Sequence, residues 1–207
     1  MSGPGARQTT VLLLAFDDME LLDFAGPFEV FTTASRVHRR DSGAPTDRFR
    51  MHTASPDGAM VRARAGLRIG VDSGLTDAPP CDWLLVPGGV VDGLLNRSAT
   101  LAALAARAEA SALCASVCTG AFVLAEAGIL RDHAVTTHWE DAEALARRYP
   151  RLRVCPARRW IDEGRVATSA GIAAGIDLAL HLVAREAGDA LARATARQMD
   201  TPWPPAA

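Results

Sequence analysis

Three short stretches of the chain, TVLLLAF (residues 10–16), CDWLLVPGG (81–89) and ALCASVCTG (112–120), run mostly apolar without the every-other-residue alternation of a half-exposed strand. Strands read this way when neither face meets water, and a sheet covered by helices on both faces is the architecture that buries them. Between them lie segments of helical periodicity: MELLDFAGPFEVFTTASRV (19–37), LLNRSATLAALAARAEA (94–110), the run after Thr119, EDAEALARRYP (140–150) and IAAGIDLALHLVAREAG (172–188). Strands alternating with helices in this order predict an α/β fold around a mostly parallel sheet.

Within that frame Pro27 is placed in a first helical turn, where its missing N–H is harmless, so residues 19–25 form a turn or short helix feeding the main one. DSGAPTDR (41–48) reads as a loop, FRMHTAS (49–55) as a second strand and residues 56–72 as a short hairpin beside the sheet. HAVTTHW (133–139) reads as a further strand and residues 153–171 as another hairpin. One domain is expected over residues 1–207, with mobile ends at 1–8 and 200–207.

Composition narrows the function. With 22 basic against 24 acidic side chains, the chain has no broad positive field to hold a polyanion, so nucleic-acid binding by this chain alone is not expected. No stretch approaches the roughly 20 apolar residues of a membrane helix, and the N-terminus lacks the apolar middle of a signal peptide. A soluble, cytoplasmic protein is expected. Cys81, Cys114, Cys118 and Cys155 form no CxxC pair and have no histidine at zinc-finger spacing, so no metal and no cofactor is expected. In an extended segment, Cys114 and Cys118 would stand about 13 Å apart, beyond the roughly 7 Å a disulfide tolerates.

Cys118 differs from the other three because it sits where a strand hands over to a helix. Such a reversal strains the junction residue and admits only small neighbours two positions before and after, here Ser116 and Gly120. The spacing is that of a nucleophile elbow with cysteine at its apex. A sulfur there projects from the C-terminal end of the sheet, and a helix N-terminus beneath it favours the thiolate. The Thr119 backbone N–H, together with an amide of the Gly88-Gly89 turn, is expected to form an oxyanion or substrate-binding pocket. Glu20 and Asp23, three apart and on one face if helical, are the candidate proton partners, and His138 at the end of its strand is a third. His181, in an apolar helix, reads as a core or interface histidine.

Taken together, LLLAFDDMELLDFAGPFEVF, LLVPGG, ASVCTGAFVLAEAGIL, VTTHW and TSAGIAAGIDLALHLV resemble the ThiJ/PfpI superfamily over nearly the whole chain. That resemblance implies a flavodoxin-like, class I glutamine-amidotransferase-like sandwich, and commonly a homodimer. Two branches share these motifs: isonitrile hydratases, and the N-terminal sensing domains of AraC-type regulators. In the hydratases an aspartate of the LDxxGP motif, the cysteine and the following threonine add water across an isonitrile carbon; Asp23, Cys118 and Thr119 stand at those positions. The lead expectation is therefore a cysteine-dependent hydratase or hydrolase of a small molecule. The rival is a non-catalytic ligand-sensing domain of an AraC-type regulator without its DNA-binding part. The protease branch places histidine directly after the cysteine, where this chain has Thr119, which argues against a peptidase. A glyoxalase-like reading, with Glu20 and His138 as auxiliary groups, and a thiol-based stress sensor are the lesser alternatives.

Overall fold

The computed structural model describes residues 7–203. In chain order the elements are β1 (Thr9–Leu14), α1 (Leu21–Ser42), β2 (Phe49–Ser55), β3 (Val61–Arg62), β4 (Arg68–Ile69), β5 (Ser73–Gly74), β6 (Trp83–Val86), α2 (Asp92–Leu95), α3 (Ser98–Ala110), β7 (Leu113–Val117) and α4 (Gly120–Glu126). They continue through β8 (Ala134–Val135), a 3-10 turn (Trp139–Asp141), α5 (Ala142–Arg148), β9 (Arg153–Val154), β10 (Trp160–Asp162), β11 (Val166–Ser169), α6 (Ala174–Ala187) and α7 (Asp189–Gln198).

Seven strands form one sheet in the order β10-β11-β7-β6-β1-β2-β5, and only β10 runs antiparallel. The strands read as unbroken apolar runs are those whose two faces are covered: every residue of β6 and β7 is buried. Helices α1, α6 and α7 pack on one another on one side, and α2 and α4 pack together on the other. Phe31 of α1 closes against Phe49 of β2 and Trp83 of β6, with ring centroids 5.2 and 5.8 Å away. The chain passes from β1 to β2 on one side and later to β6 on the other, which leaves a crevice at the carboxyl ends of β1 and β6, where open α/β sheets bind ligands. The loops after these two strands meet there in a bridge between Met19 and Gly89.

Several expected elements differ. Helix α1 does not restart at Pro27 but runs through it from Leu21 to Ser42. Pro27 cannot donate to the Asp23 carbonyl, yet the helix continues past it, and Gly26 beside it lies directly against α6, where a Cβ would stand 3.0 Å from Ile176 Cγ1. The expected helix 94–110 is two helices, α2 and α3, broken where the Asn96 side chain folds back to the Asp92 carbonyl at 2.9 Å. The expected strand 133–139 shrinks to β8, because the Thr136 N–H bonds the Thr168 hydroxyl at 2.9 Å instead of a strand neighbour. Residues 153–171 hold a β10–β11 hairpin, but β9 leaves it to pair in parallel with β8. The hairpin in 56–72 forms as β3 and β4.

Helix α7 was not anticipated. Its buried residues Ala192, Thr195 and Ala196 fall at i, i+3 and i+4, but alanine and threonine make a weak apolar stripe. Of the ends expected to be mobile, residues 1–6 and 204–207 lie outside the described residues. The rest make contacts: the Gln8 amide donates to the Asp47 carbonyl at 2.9 Å, and Trp203 stacks on Trp160 at 6.0 Å. Among the described residues no helix is long and apolar enough to cross a membrane.

Candidate active site

Cys118 stands between the end of β7 and the start of α4 with φ +56, in the left-handed region. That conformation costs a residue with a Cβ about 1–2 kcal/mol, so something must hold it. Its N–H donates to the Ser169 carbonyl at 3.1 Å, and its carbonyl accepts from the Thr137 hydroxyl at 2.8 Å. The small flanking residues are required by close approach. Ser116 is fully buried, and a Cβ on Gly120 would lie 2.4 Å from the Val86 carbonyl oxygen. Gly120→Ala must push backbone against backbone, and we expect it to cost roughly 3 kcal/mol in urea unfolding.

Thr137 was not foreseen, although it lies in the TTH run. It is 0 % exposed, and its hydroxyl is the one side-chain clamp on the strained cysteine among the described residues. Thr137→Val keeps the shape and deletes the donor. It is expected to lower stability by about 1–2 kcal/mol and to slow iodoacetamide labelling of Cys118, with Thr137→Ser restoring both. Labelling unchanged in the valine variant would show that the clamp does not set the sulfur's position.

The two candidate acids separate. Glu20 precedes α1 with extended backbone (φ −72, ψ 120) and Asp23 lies in the first turn, so they do not share one helical face as expected. Glu20 reaches the cleft, with a carboxylate oxygen 4.0 Å from Arg64. Asp23 is 0 % exposed, beneath the cleft floor. Its Oδ2 accepts the Gly88 N–H at 3.0 Å, and Oδ1 has no hydrogen-bond partner among the described residues. The Cys118 thiol lies close enough to the Asp23 carboxyl that each shifts the other's ionisation. Burial pushes the Asp23 carboxyl up from 3.8 to about 7, against the lowering effect of the Gly88 N–H and the thiol.

The expected low-pKa thiolate is corrected by the structure. Burial first, and the Asp23 carboxylate second, push the Cys118 thiol up to about 12; the Thr119 N–H and hydroxyl favour the thiolate but are outweighed. Helix α4 has only seven residues, a small dipole to set against removing the sulfur from water. The expected oxyanion donors are also partly taken. The Gly88 N–H is held by Asp23, and the Gly89 N–H donates to the Thr119 hydroxyl at 2.8 Å, which in turn donates to the Gly89 carbonyl. Of the three amides proposed from sequence, the Thr119 N–H alone has no acceptor oxygen among the described residues.

His138 is not at the end of a strand of the main sheet. It starts the 3-10 turn, its Nδ1 accepting the Glu140 N–H at 3.4 Å, with the Glu140 and Asp141 carboxylates each 3.6 Å from that nitrogen. The ring and the thiol nevertheless meet over Gly171. A Cβ on that glycine would fall 2.2 Å from His138 Cδ2 and 3.2 Å from Cys118 Sγ. Gly171, like Thr137, was missed; the only signal was a glycine at the strand-to-helix passage of TSAGI. His181, expected in the core or at an interface, donates from Nε2 to the Asp162 carboxylate at 2.8 Å and does not line the cleft.

Cys118, Thr119, Glu20, Gly89 and His138 open on one cleft of about 520 Å³. Its walls mix apolar Val91, Leu95 and Phe122 with Arg64, Asp92 and Arg148. Arg148 is fixed from behind by Glu126 at 2.8 Å. The loop and short helix over residues 90–97 contribute Val90, Val91, Asp92 and Leu95 to this cleft, and residues 41–48 and 155–165 do not line it. The four cysteines are free thiols, and no group of three or more His, Cys, Asp or Glu side chains among the described residues could hold a metal ion.

Residues 9–185 match the DJ-1/PfpI family. The HTH-type transcriptional regulator GbdR of Pseudomonas aeruginosa is 35% identical over 184 residues, covering 87% of this chain and 47% of the regulator. The chain thus spans about half the length of the regulator it matches. The isonitrile hydratase of Pseudomonas putida is 31% identical over 195 residues, covering 93% of this chain and 78% of that enzyme. Among solved structures, a ThiJ/PfpI family protein from Pseudomonas syringae superposes with a TM-score of 0.81 at 25% identity, covering 99% of this chain and 78% of that one.

Proposed function

Because the chain belongs to the DJ-1/PfpI family, we propose that it is a cysteine-dependent hydratase of a small uncharged molecule, an isonitrile being the substrate its site suits best. The observation that carries this is the buried Asp23 carboxyl beside Cys118, pushed up to about 7 while the thiol is pushed up to about 12. Such a pair holds a proton to give and a sulfur whose proton can be taken, and hydration of an isonitrile needs both at one carbon. Sulfur bonds to the isonitrile carbon, that carbon takes a proton from Asp23, and Asp23 recovers the thiol's proton. The product is a thioimidate, R–N=CH–S. Water then adds to its carbon while nitrogen gains one of the water's protons. The C–S bond breaks, the hydroxyl proton returns to sulfur, and the N-substituted formamide leaves.

An uncharged substrate suits a site where burial already penalises ionisation of both reacting groups. The Thr119 N–H is the donor available to a developing negative charge, and its hydroxyl, tied to Gly89, fixes the loop that covers Asp23. Incubating purified protein with a panel of alkyl and aryl isonitriles should yield the formamides, detected by mass spectrometry. No turnover in folded protein with a free Cys118 thiol would sink the reading.

One observation favours a second reading, a ligand-sensing domain. A thiol held protonated suits contact with a bound molecule as well as attack on it, and the chain matches half of a transcriptional regulator. Saturable binding of a small molecule in the cleft without turnover would select that reading.

A further inference from the structure

The loop between β1 and α1 separates the Cys118 cleft from a second cavity of about 170 Å³. Its lining includes the buried apolar side chains Phe16, Val61 and Leu94 beside the carboxylates of Asp17, Asp18 and Asp57. Its rim carries two large apolar side chains left open to solvent, Met60 at 63% and Val90 at 45% exposure. Single exposed apolar residues need no explanation, but two on the rim of one cavity, over buried Phe16, Val61 and Leu94, offer an apolar group a place to make contact.

This cavity is a neighbour of the cleft. Val90 lines both, and Arg64 of the cleft also lines a shallow trough with Asp17 and Asp18, which border the second cavity in turn. Asp18, in the wall between, has φ +64, held by its N–H to the Arg62 carbonyl at 2.8 Å and by the Val90 N–H to its own carbonyl at 3.0 Å. Backbone strain that neighbours enforce in this way concentrates at ligand sites. The cavity's lining carries the carboxylates of Asp17, Asp18 and Asp57 and the guanidinium of Arg97.

We propose that this cavity is the subsite for the apolar substituent of the molecule whose reactive head meets Cys118. The assignment deepens the reading of the cleft given above and rests on it: with the isonitrile carbon at Sγ, its N-alkyl or N-aryl group passes Val90 and settles on Phe16, Val61 and Leu94 beside Met60. The carboxylate rim turns away substituents that end in an anion. The preferred substrates are therefore isonitriles with extended, non-anionic apolar groups rather than the smallest ones.

The test uses N-methyl-, N-butyl- and N-hexylmaleimide, whose ring double bond takes up a thiol without any turnover. Mass spectrometry reads adduct formation at Cys118 relative to half-buried Cys155 in the same sample. The ratio should rise on the order of tenfold from methyl to hexyl, the effect of seating about two of the added methylenes at roughly three- to fourfold each. Met60→Asp should flatten that series, Met60→Leu should keep it, and a hexyl chain ending in a carboxylate should lose the gain. In parallel, kcat/KM for methyl and hexyl isonitrile should follow the same order. A flat maleimide series, a slope unaffected by Met60→Asp, or no adduct at Cys118 with any chain overturns the subsite, whether or not isonitriles are hydrated. A rising series that depends on Met60, without isonitrile turnover, keeps the subsite and removes the hydratase reading instead.

Discussion

Cys118→Ser is expected to reduce formamide production from an isonitrile by roughly 10⁴-fold or more, the scale on which loss of a nucleophile acts. Serine leaves the backbone problem unchanged, since its Cβ occupies the same left-handed position at φ +56 and the clamps from Ser169 and Thr137 bind backbone atoms only. The loss therefore reports chemistry. A hydroxyl is a poorer nucleophile and a poorer leaving group from the tetrahedral adduct, so both formation and collapse of the covalent intermediate slow. Thermal unfolding should move by no more than a few degrees, which separates this outcome from misfolding. If the serine variant hydrates isonitriles at the wild-type rate, Cys118 is not the attacking group and the mechanism proposed for the cleft is wrong.

Asp23→Asn should act in opposite directions on activity and stability. The Asp23 carboxyl is fully buried and raised from 3.8 to about 7, so the folded protein binds a proton there that the unfolded chain has already released between those values. Stability from this group is thus fully present below about pH 4 and is lost as pH rises through about 7, by up to about 4 kcal/mol for a shift of this size. Asparagine keeps an oxygen for the Gly88 N–H and carries no charge at any pH. The variant should therefore be more stable than wild type at pH 8, by a few kcal/mol, and no more stable at pH 4, as read from urea unfolding at the two values. A gain of equal size at both would mean that folding does not raise the carboxyl above its ordinary range. Turnover should fall by about 10²- to 10⁴-fold, because asparagine can neither give the proton to the isonitrile carbon nor recover it from sulfur. The wild-type kcat/KM should decline above about pH 7 as Asp23 ionises, and the variant's residual rate should lack that limb. A site built on a carboxyl that would be easier to bury neutral is a place where stability and activity conflict.

Where burial is read from immediate neighbours in the chain, the sequence was legible. TVLLLAF, CDWLLV and ALCASV announced strands covered on both faces, and Ser116 and Gly120 announced a hard turn at Cys118, because the room for a Cβ at those positions is set by the local backbone path. Pro27 misled because propensity counts the lost hydrogen bond but not the contact of Gly26 with Ile176, which lies 150 residues further along the chain. Helix α7 was passed over because its buried stripe is alanine and threonine, which bury too little apolar area to stand out.

By itself the sequence determined the α/β architecture, the strand-to-helix junction at Cys118 and the identity of the acids near it. Only the tertiary structure decided which acid lies against the sulfur, that Thr137 and Gly171 close around it, and that the thiol is pushed up rather than down. The reason is physical: periodicity and turn sterics act over a few residues, whereas ionisation depends on how much water the whole fold removes, and β1, β6, β7 and β11 bring that burial from four separate parts of the chain.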